Sequence, residues 1–279
     1  MTEASSRDQR RPATTRRLRA EIVIVLLVTF GTSALNAVVR LIGALAEGPL
    51  QDQPVSLNDA LADDPWLNGA LQLIRIAGLL AWGGLAWYLL RADGIRGMPG
   101  RLRGGDWAWG AGLAALIGLP GLGLYVIGIV AGFGRPIDPA AMGVTALTIV
   151  PLLGWAAANA VAEELVVVGW LVVRLRQLRA GSLDDAPVAP GATPTPEAGD
   201  RMSARTIAVI IAASALLRGA YHLYQGVGAG FGNIVMGVVF AAWFLRTGRV
   251  WPLVIAHFLI DAVAFTGYPL VAPWLESLV

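Results

Sequence analysis

The chain has 279 residues, 56% apolar and 14% charged, with a mean hydropathy of +0.63. Soluble domains carry about 25% charged residues and a helical span needs about 20 apolar ones, so a soluble enzyme is excluded and roughly six to eight spans are accommodated. The net charge is +2, every one of the 21 basic residues is Arg, and Cys is absent, which removes Schiff-base and P-loop lysines, disulfides and thiolate chemistry.

Residues 1–20 read as a basic cytoplasmic tail, with Arg7, Arg10, Arg11, Arg16, Arg17 and Arg19 against Glu3 and Asp8. An apolar run follows over 22–46. A signal peptide with its cleavage region at 33–37 is the weaker reading, because the apolar pattern continues past that point. An uncleaved first span is expected instead. Later spans are expected near 67–90, 107–133, 141–173, 206–225, 233–245 and 251–268.

The loops between them alternate in charge. Loop 47–64 holds Glu47, Asp52, Asp59, Asp63 and Asp64 and no Arg, whereas the next holds Arg91, Arg96, Arg101 and Arg103. The third has only Arg135 and Asp138, and the fourth has Arg174, Arg176, Arg179, Arg201 and Arg205. The fifth is uncharged and the sixth has Arg246 and Arg249. Basic loops face the cytoplasm. The fold class is therefore an all-α, polytopic transmembrane helical bundle of about seven spans, multi-pass in the cell membrane, with its N-terminus cytoplasmic and its C-terminus outside. Trp66, Trp87, Trp107, Trp109, Trp243, Trp251 and Trp274 fall near span ends, where an aromatic belt belongs.

One transmembrane domain over 21–279 is expected. The 141–173 stretch is longer than one span needs, so it should tilt, break near Pro151 or run on into the cytoplasm. Residues 180–204, rich in Pro, Ala, Gly and acid, read as a disordered cytoplasmic linker. The run GVGAGFG (226–232) has no strand before it and reads as a tight interhelical turn, so no nucleotide is expected. The arginines lie between apolar stretches rather than on one face, so neither is nucleic acid. No convincing internal repeat is visible.

Ionisable residues inside spans are costly, by about 2.5–3.5 kcal/mol on insertion scales, and mark function by default. They are Arg40, Arg75, Glu163, Glu164, Arg218, His222, His257 and Asp261. All but Arg40 and Arg75 fall in three segments. In AVAEELVVVGWL, Glu163 and Glu164 project about 100° apart, so one can face a cavity and the other a neighbouring helix. In SALLRGAYHLYQG, Arg218 and His222 share a face one turn apart. In WPLVIAHFLIDAVAF, His257 and Asp261 repeat that spacing, and the Asp can orient the imidazole or share a metal. Both histidines of the chain lie mid-span, each with a charged partner one turn away. One shared site explains this better than three separate structural contacts.

These segments resemble the CPBP family of intramembrane proteases, which includes type II CAAX prenyl endopeptidases and bacterial abortive-infection and bacteriocin-self-immunity proteins. The family pattern is EExxxR, then FxxxH, then HxxxN or HxxxD on successive helices. This chain presents Glu163-Glu164, then His222, then His257 with Asp261, and the resemblance covers a motif-bearing core at about 140–268. Two positions depart from the pattern: Val168 stands where Arg is expected and Arg218 where Phe is. Arg218 is expected to supply the cation that Val168 cannot, pairing with Glu164 across helices.

The resemblance implies an endopeptidase in which Glu163 and His222 activate water while His257 and Asp261 stabilise the oxyanion, with Glu164 auxiliary. Asp261 is a less natural oxyanion donor than Asn, because an ionised carboxylate only accepts hydrogen bonds. Glu163, His222, His257 and Asp261 also make a nitrogen and oxygen set for a divalent metal such as zinc, with a position open for water. The partners implied are membrane lipid and a peptide or membrane-protein substrate that residue types do not name. The rival readings are a catalytically inactive member acting as a membrane partner or immunity protein, and a small proton-coupled transporter.

Overall fold

The computed structural model describes residues 3–95, 97–180, 202–267 and 269. The chain enters the bundle through α1 (Glu3–Val28) and α2 (Phe30–Glu47), which meet at a 53° bend. At the bend the Thr29 hydroxyl donates to the Val25 carbonyl at 2.7 Å, a side-chain bond that competes with the helix ladder and bends it. From Glu3 onward the basic tail is thus continuous with the first span, within α1.

Helix α3 (Pro65–Ala92) starts where Asp64 accepts from the Leu67 N–H at 2.7 Å, with Pro65 in the first turn. Helix α4 (Gly104–Val130) follows. Each is about 40 Å long, more than the roughly 30 Å hydrocarbon core requires.

The fourth span departs from its expected bounds. Residues 141–148 are turns rather than helix, and the span runs over Ile149–Ala180. Pro151 lies in the first turn of α5 (Ile149–Glu163) and breaks nothing, since a proline there displaces no intrahelical bond. The irregularity comes later, as a widened π-helical stretch at Glu164–Trp170 before α6 (Leu171–Ala180). There the buried Ser214 hydroxyl donates to the Val167 carbonyl at 2.8 Å. This span is the central helix: its apolar window is 83% buried, against 39% or less for the other four long spans.

Helix α7 (Ala204–His222) is capped by Ser203, leads through a single 3-10 turn (Leu223–Gln225), and α8 (Val227–Thr247) begins at once. The glycine run 226–232 is therefore the opening of a helix, and only Gly226, at φ 107°, serves the turn. The other glycines allow close packing of helix on helix, which is what associates spans in a membrane. A Cβ at Gly230 would meet the Leu223 side chain at 2.5 Å, and one at Gly237 would meet the Ala215 backbone at 2.7 Å. Helix α9 (Trp251–Ala262) ends in a second widened turn, Val263–Gly267.

Five helices are long and apolar enough to cross a membrane; the bent α1–α2 pair raises that to six, and Trp251–Gly267 is a shorter apolar helix. The protein is a multi-pass helical membrane bundle. The linker expected at 180–204 lies outside the described residues, apart from its edges.

The two ends of the bundle are tied differently. At the Arg-rich end, Arg174 joins Glu21 and Asp93 at 2.7 Å each, and Arg249 pairs with the buried Asp106. At the other end, β1 (Val55–Ser56) pairs in parallel with β2 (Ile137–Asp138). Arg135 there donates to the Gln53 carbonyl at 2.8 Å and the Tyr224 carbonyl at 3.0 Å, binding both long loops to the α7–α8 turn.

Candidate functional site

The site forms where α5, α7 and α9 meet around one guanidinium. Arg218, fully buried on α7, forms a hydrogen-bonded ion pair with Glu164 Oε1 and lies 3.4 Å from Glu163 Oε2. Its guanidinium also sits 5.4 Å from the Phe240 ring centre on α8. A Cβ added at Gly237 on α8 would come within 3.5 Å of the Arg218 side chain.

Adjacent glutamates on an ideal helix diverge, yet both carboxylates here reach the same cation. The planar fork of arginine spans the gap, and Glu164 opens the widened π stretch. Glu163 additionally accepts from the Tyr221 hydroxyl at 2.6 Å. Tyr221 is itself wedged between Phe30, with ring centres 4.8 Å apart, and His222, at 4.7 Å.

His257 is buried on α9 between two carboxylates. Its Nδ1 is 2.8 Å from Glu164 Oε1 and its Nε2 is 3.6 Å from Asp261 Oδ2. His222 holds its Nδ1 3.0 Å from the Arg218 carbonyl, which leaves Nε2 as the nitrogen available to a substrate or water. The His222 ring lies 4.7 Å from that of Tyr221, whose hydroxyl holds Glu163. The ionisable residues of the three segments are thus brought into one neighbourhood, whereas Arg40 and Arg75 are exposed on α2 and α3.

Two participants escape a reading of charges alone. Asn159, one turn before Glu163 on α5, donates from Nδ2 to Asp261 Oδ2 at 3.2 Å. Tyr221 is the other. Their signals were present: a lone mid-span carboxamide at i−4 from Glu163, and a tyrosine directly preceding His222. Neutral polar groups are common enough in spans that neither stands out without its partner.

For a metal, the converging donors are Glu163, Glu164 and His257, whose ligand atoms all lie within 4.8 Å of one another. Among the described residues that group holds Glu164 in place of the expected His222 and Asp261. His222 Nδ1 is engaged by a backbone carbonyl and Asp261 Oδ2 by Asn159. Carboxylate and imidazole donors suit a divalent cation, and Glu164 Oε2 is buried with no hydrogen-bond partner among the described residues. The set fits such an ion without singling out zinc.

Comparison with curated proteins and with solved structures gave no match. A family model, type II CAAX prenyl endopeptidase Rce1-like, matches residues 145–263. That range contains Asn159, Glu163, Glu164, Arg218, Tyr221, His222, His257 and Asp261. Over residues 145–263, the segment that builds the site, the chain is similar to this family, whose ordered motifs the sequence resembles.

Proposed function

We propose that the protein is an intramembrane endopeptidase that hydrolyses a peptide bond with water activated by Glu163 and His222. The observation that carries this reading is the buried cluster of Glu163, Glu164, Arg218 and His257 inside the family-matched segment, with the His222 ring stacked beside Tyr221, which holds Glu163. A carboxylate held by Tyr221 and Arg218 is fixed in place, as a general base must be to take a proton along one line. His222, with Nδ1 anchored on the backbone, presents Nε2 to the same water or to the leaving amine. His257 and Asn159 supply the N–H donors for the developing oxyanion. Asp261 accepts from Asn159 and faces His257, so its part is to orient these two donors rather than to donate.

Glu163, Glu164 and His257 would hold a divalent cation, which when bound would polarise the water and the carbonyl. The substrate is a peptide or membrane-protein segment, and the membrane is that of the cell.

One observation favours a second reading. Arg218 engages both carboxylates, and an arginine so placed neutralises the base it touches, as in a non-catalytic family member. Purified protein in liposomes, offered a library of membrane-anchored peptides beside Glu163→Ala and His222→Ala, separates the two. The endopeptidase reading expects cleavage by the wild type and a loss of about 10²–10⁴-fold in each variant, the range of general acid–base catalysis. Full activity in either variant overturns the assignment. Absence of cleavage by the wild type favours the non-catalytic member.

A further inference from the structure

Three helices of the site repeat one pattern. On α5, Glu163 is buried and Asn159, four residues away, is half-buried. On α7, Arg218 is buried and His222, four residues away, is half-buried. On α9, His257 is buried and Asp261, again four residues away, is half-buried. In each pair the more accessible member lies one turn closer to the same end of the bundle, the Arg-poor end built from the β1 and β2 loops. Tyr224, Gln225 and Thr266 continue this half-buried path.

The opposite direction is closed. Val166, Val167, Val168 and Trp170 of the central helix are fully buried, as are Phe240, Ala241 and Phe244 of α8 and Leu253 of α9. Water reaching Glu163 from the Arg-rich end would have to cross this apolar layer, beyond which the Arg174–Glu21 clasp seals α1 against α6. The buried Ser214 hydroxyl in that layer is taken up by the Val167 carbonyl at 2.8 Å.

The ends also differ in charge. Arg91, Arg101, Arg103, Arg174, Arg176, Arg179, Arg205, Arg246 and Arg249 gather at the closed end. The open end has Glu47, Asp52, Asp59, Asp63, Asp64 and Asp138 against Arg135. Loops rich in Arg stay in the cytoplasm.

We infer that the site is entered from the non-cytoplasmic side, so that its substrate is a peptide segment emerging on, or anchored in, the outer face of the membrane rather than a cytosolic lipidated tail. This rests on the endopeptidase reading for the word substrate, but the side of entry stands on the geometry and the charge alone.

The absence of cysteine makes a direct test possible, since any introduced thiol is the sole one. Gln225→Cys and Thr266→Cys report the mouth, Asp59→Cys the Arg-poor loop, Arg101→Cys the Arg-rich loop and Val167→Cys the apolar layer. Intact spheroplasts are treated with a charged, membrane-impermeant maleimide, before and after permeabilisation. The inference expects full labelling of Gln225→Cys, Thr266→Cys and Asp59→Cys before permeabilisation, of Arg101→Cys only after it, and none of Val167→Cys. Either mouth variant suffices if the other fails to accumulate. Mouth positions that label only after permeabilisation put the entrance in the cytoplasm and overturn the inference. So does silence of both mouth positions from both faces while Asp59→Cys reacts, or labelling of Val167→Cys from the Arg-rich face. Failure of the endopeptidase reading looks different: the wild type then cleaves nothing while the labelling pattern is unchanged.

Discussion

Two fully buried arginines, Arg174 and Arg218, hold the two halves of this bundle, and they are satisfied to different degrees. Every guanidinium nitrogen of Arg174 has a partner: Nε bonds Glu21 at 2.7 Å, Nη1 bonds Gln177 at 2.7 Å, and Nη2 bonds the Leu89 carbonyl at 3.1 Å. Arg218 is less complete. Among the described residues its Nε has no hydrogen-bond partner, Nη1 faces Met236 Sδ at 3.7 Å, and Glu164 Oε2 nearby is unpartnered too. A buried cation with all donors filled is a fastening. One that leaves polar atoms open inside a carboxylate cluster keeps capacity for a ligand, at a cost in stability that a purely structural pair would not bear.

This contrast is open to mutation. The largest expected effect is on the fastening: Arg174→Leu leaves Glu21 and Asp93 only the half-exposed Arg17 as a cation and should lower stability by up to about 3–5 kcal/mol, the penalty for removing one partner of a buried pair. Thermal unfolding in detergent measures it, and cleavage per folded molecule should be retained. If that specific activity falls as far as in an Arg218 variant, the two arginines are not functionally distinct.

Next comes Arg218→Phe, which should abolish cleavage, whereas Arg218→Phe with Val168→Arg should restore part of it. Val168 is fully buried in the widened stretch that follows Glu164, so a guanidinium placed there approaches the same carboxylates from within their own helix. A double variant no more active than the single one, measured in the liposome assay, sinks the idea that the cation has changed helices.

The smallest effect is expected at Asn159. Asn159→Ala removes the amide that donates to Asp261 and should slow turnover about tenfold, the equivalent of one hydrogen bond to a charged group at about 1.4 kcal/mol. The melting temperature should barely move, because the residue is only half-buried. A change confined to substrate affinity, with unaltered turnover, would reassign Asn159 to binding.

How much of this could be read in advance differs from element to element. The seven apolar segments were visible as composition, and the helices α3, α4, α7 and α9 begin close to where the apolar runs do. The first turns of α8 were not, because a Gly-rich run has the propensity of a turn and becomes helix where Phe133 and Leu223 pack against it. Likewise residues 141–148 are apolar enough for a span, yet Thr148 donates to the Gly143 carbonyl at 2.7 Å and holds a turn there.

The site divides along the same line. Ionisable residues in spans are rare and expensive, so composition and i, i+4 spacing were enough to mark Glu163, Glu164, Arg218, His222, His257 and Asp261 as belonging together. Which atoms meet was beyond the reach of spacing. That both glutamates turn to Arg218, that Glu164 rather than His222 joins the metal-competent group, and that Asn159 and Tyr221 complete it all depend on distances between helices. Charge within a span is a one-dimensional signal because the membrane taxes it wherever it falls. Partner choice is set by how three helices pack, and only the folded bundle fixes that.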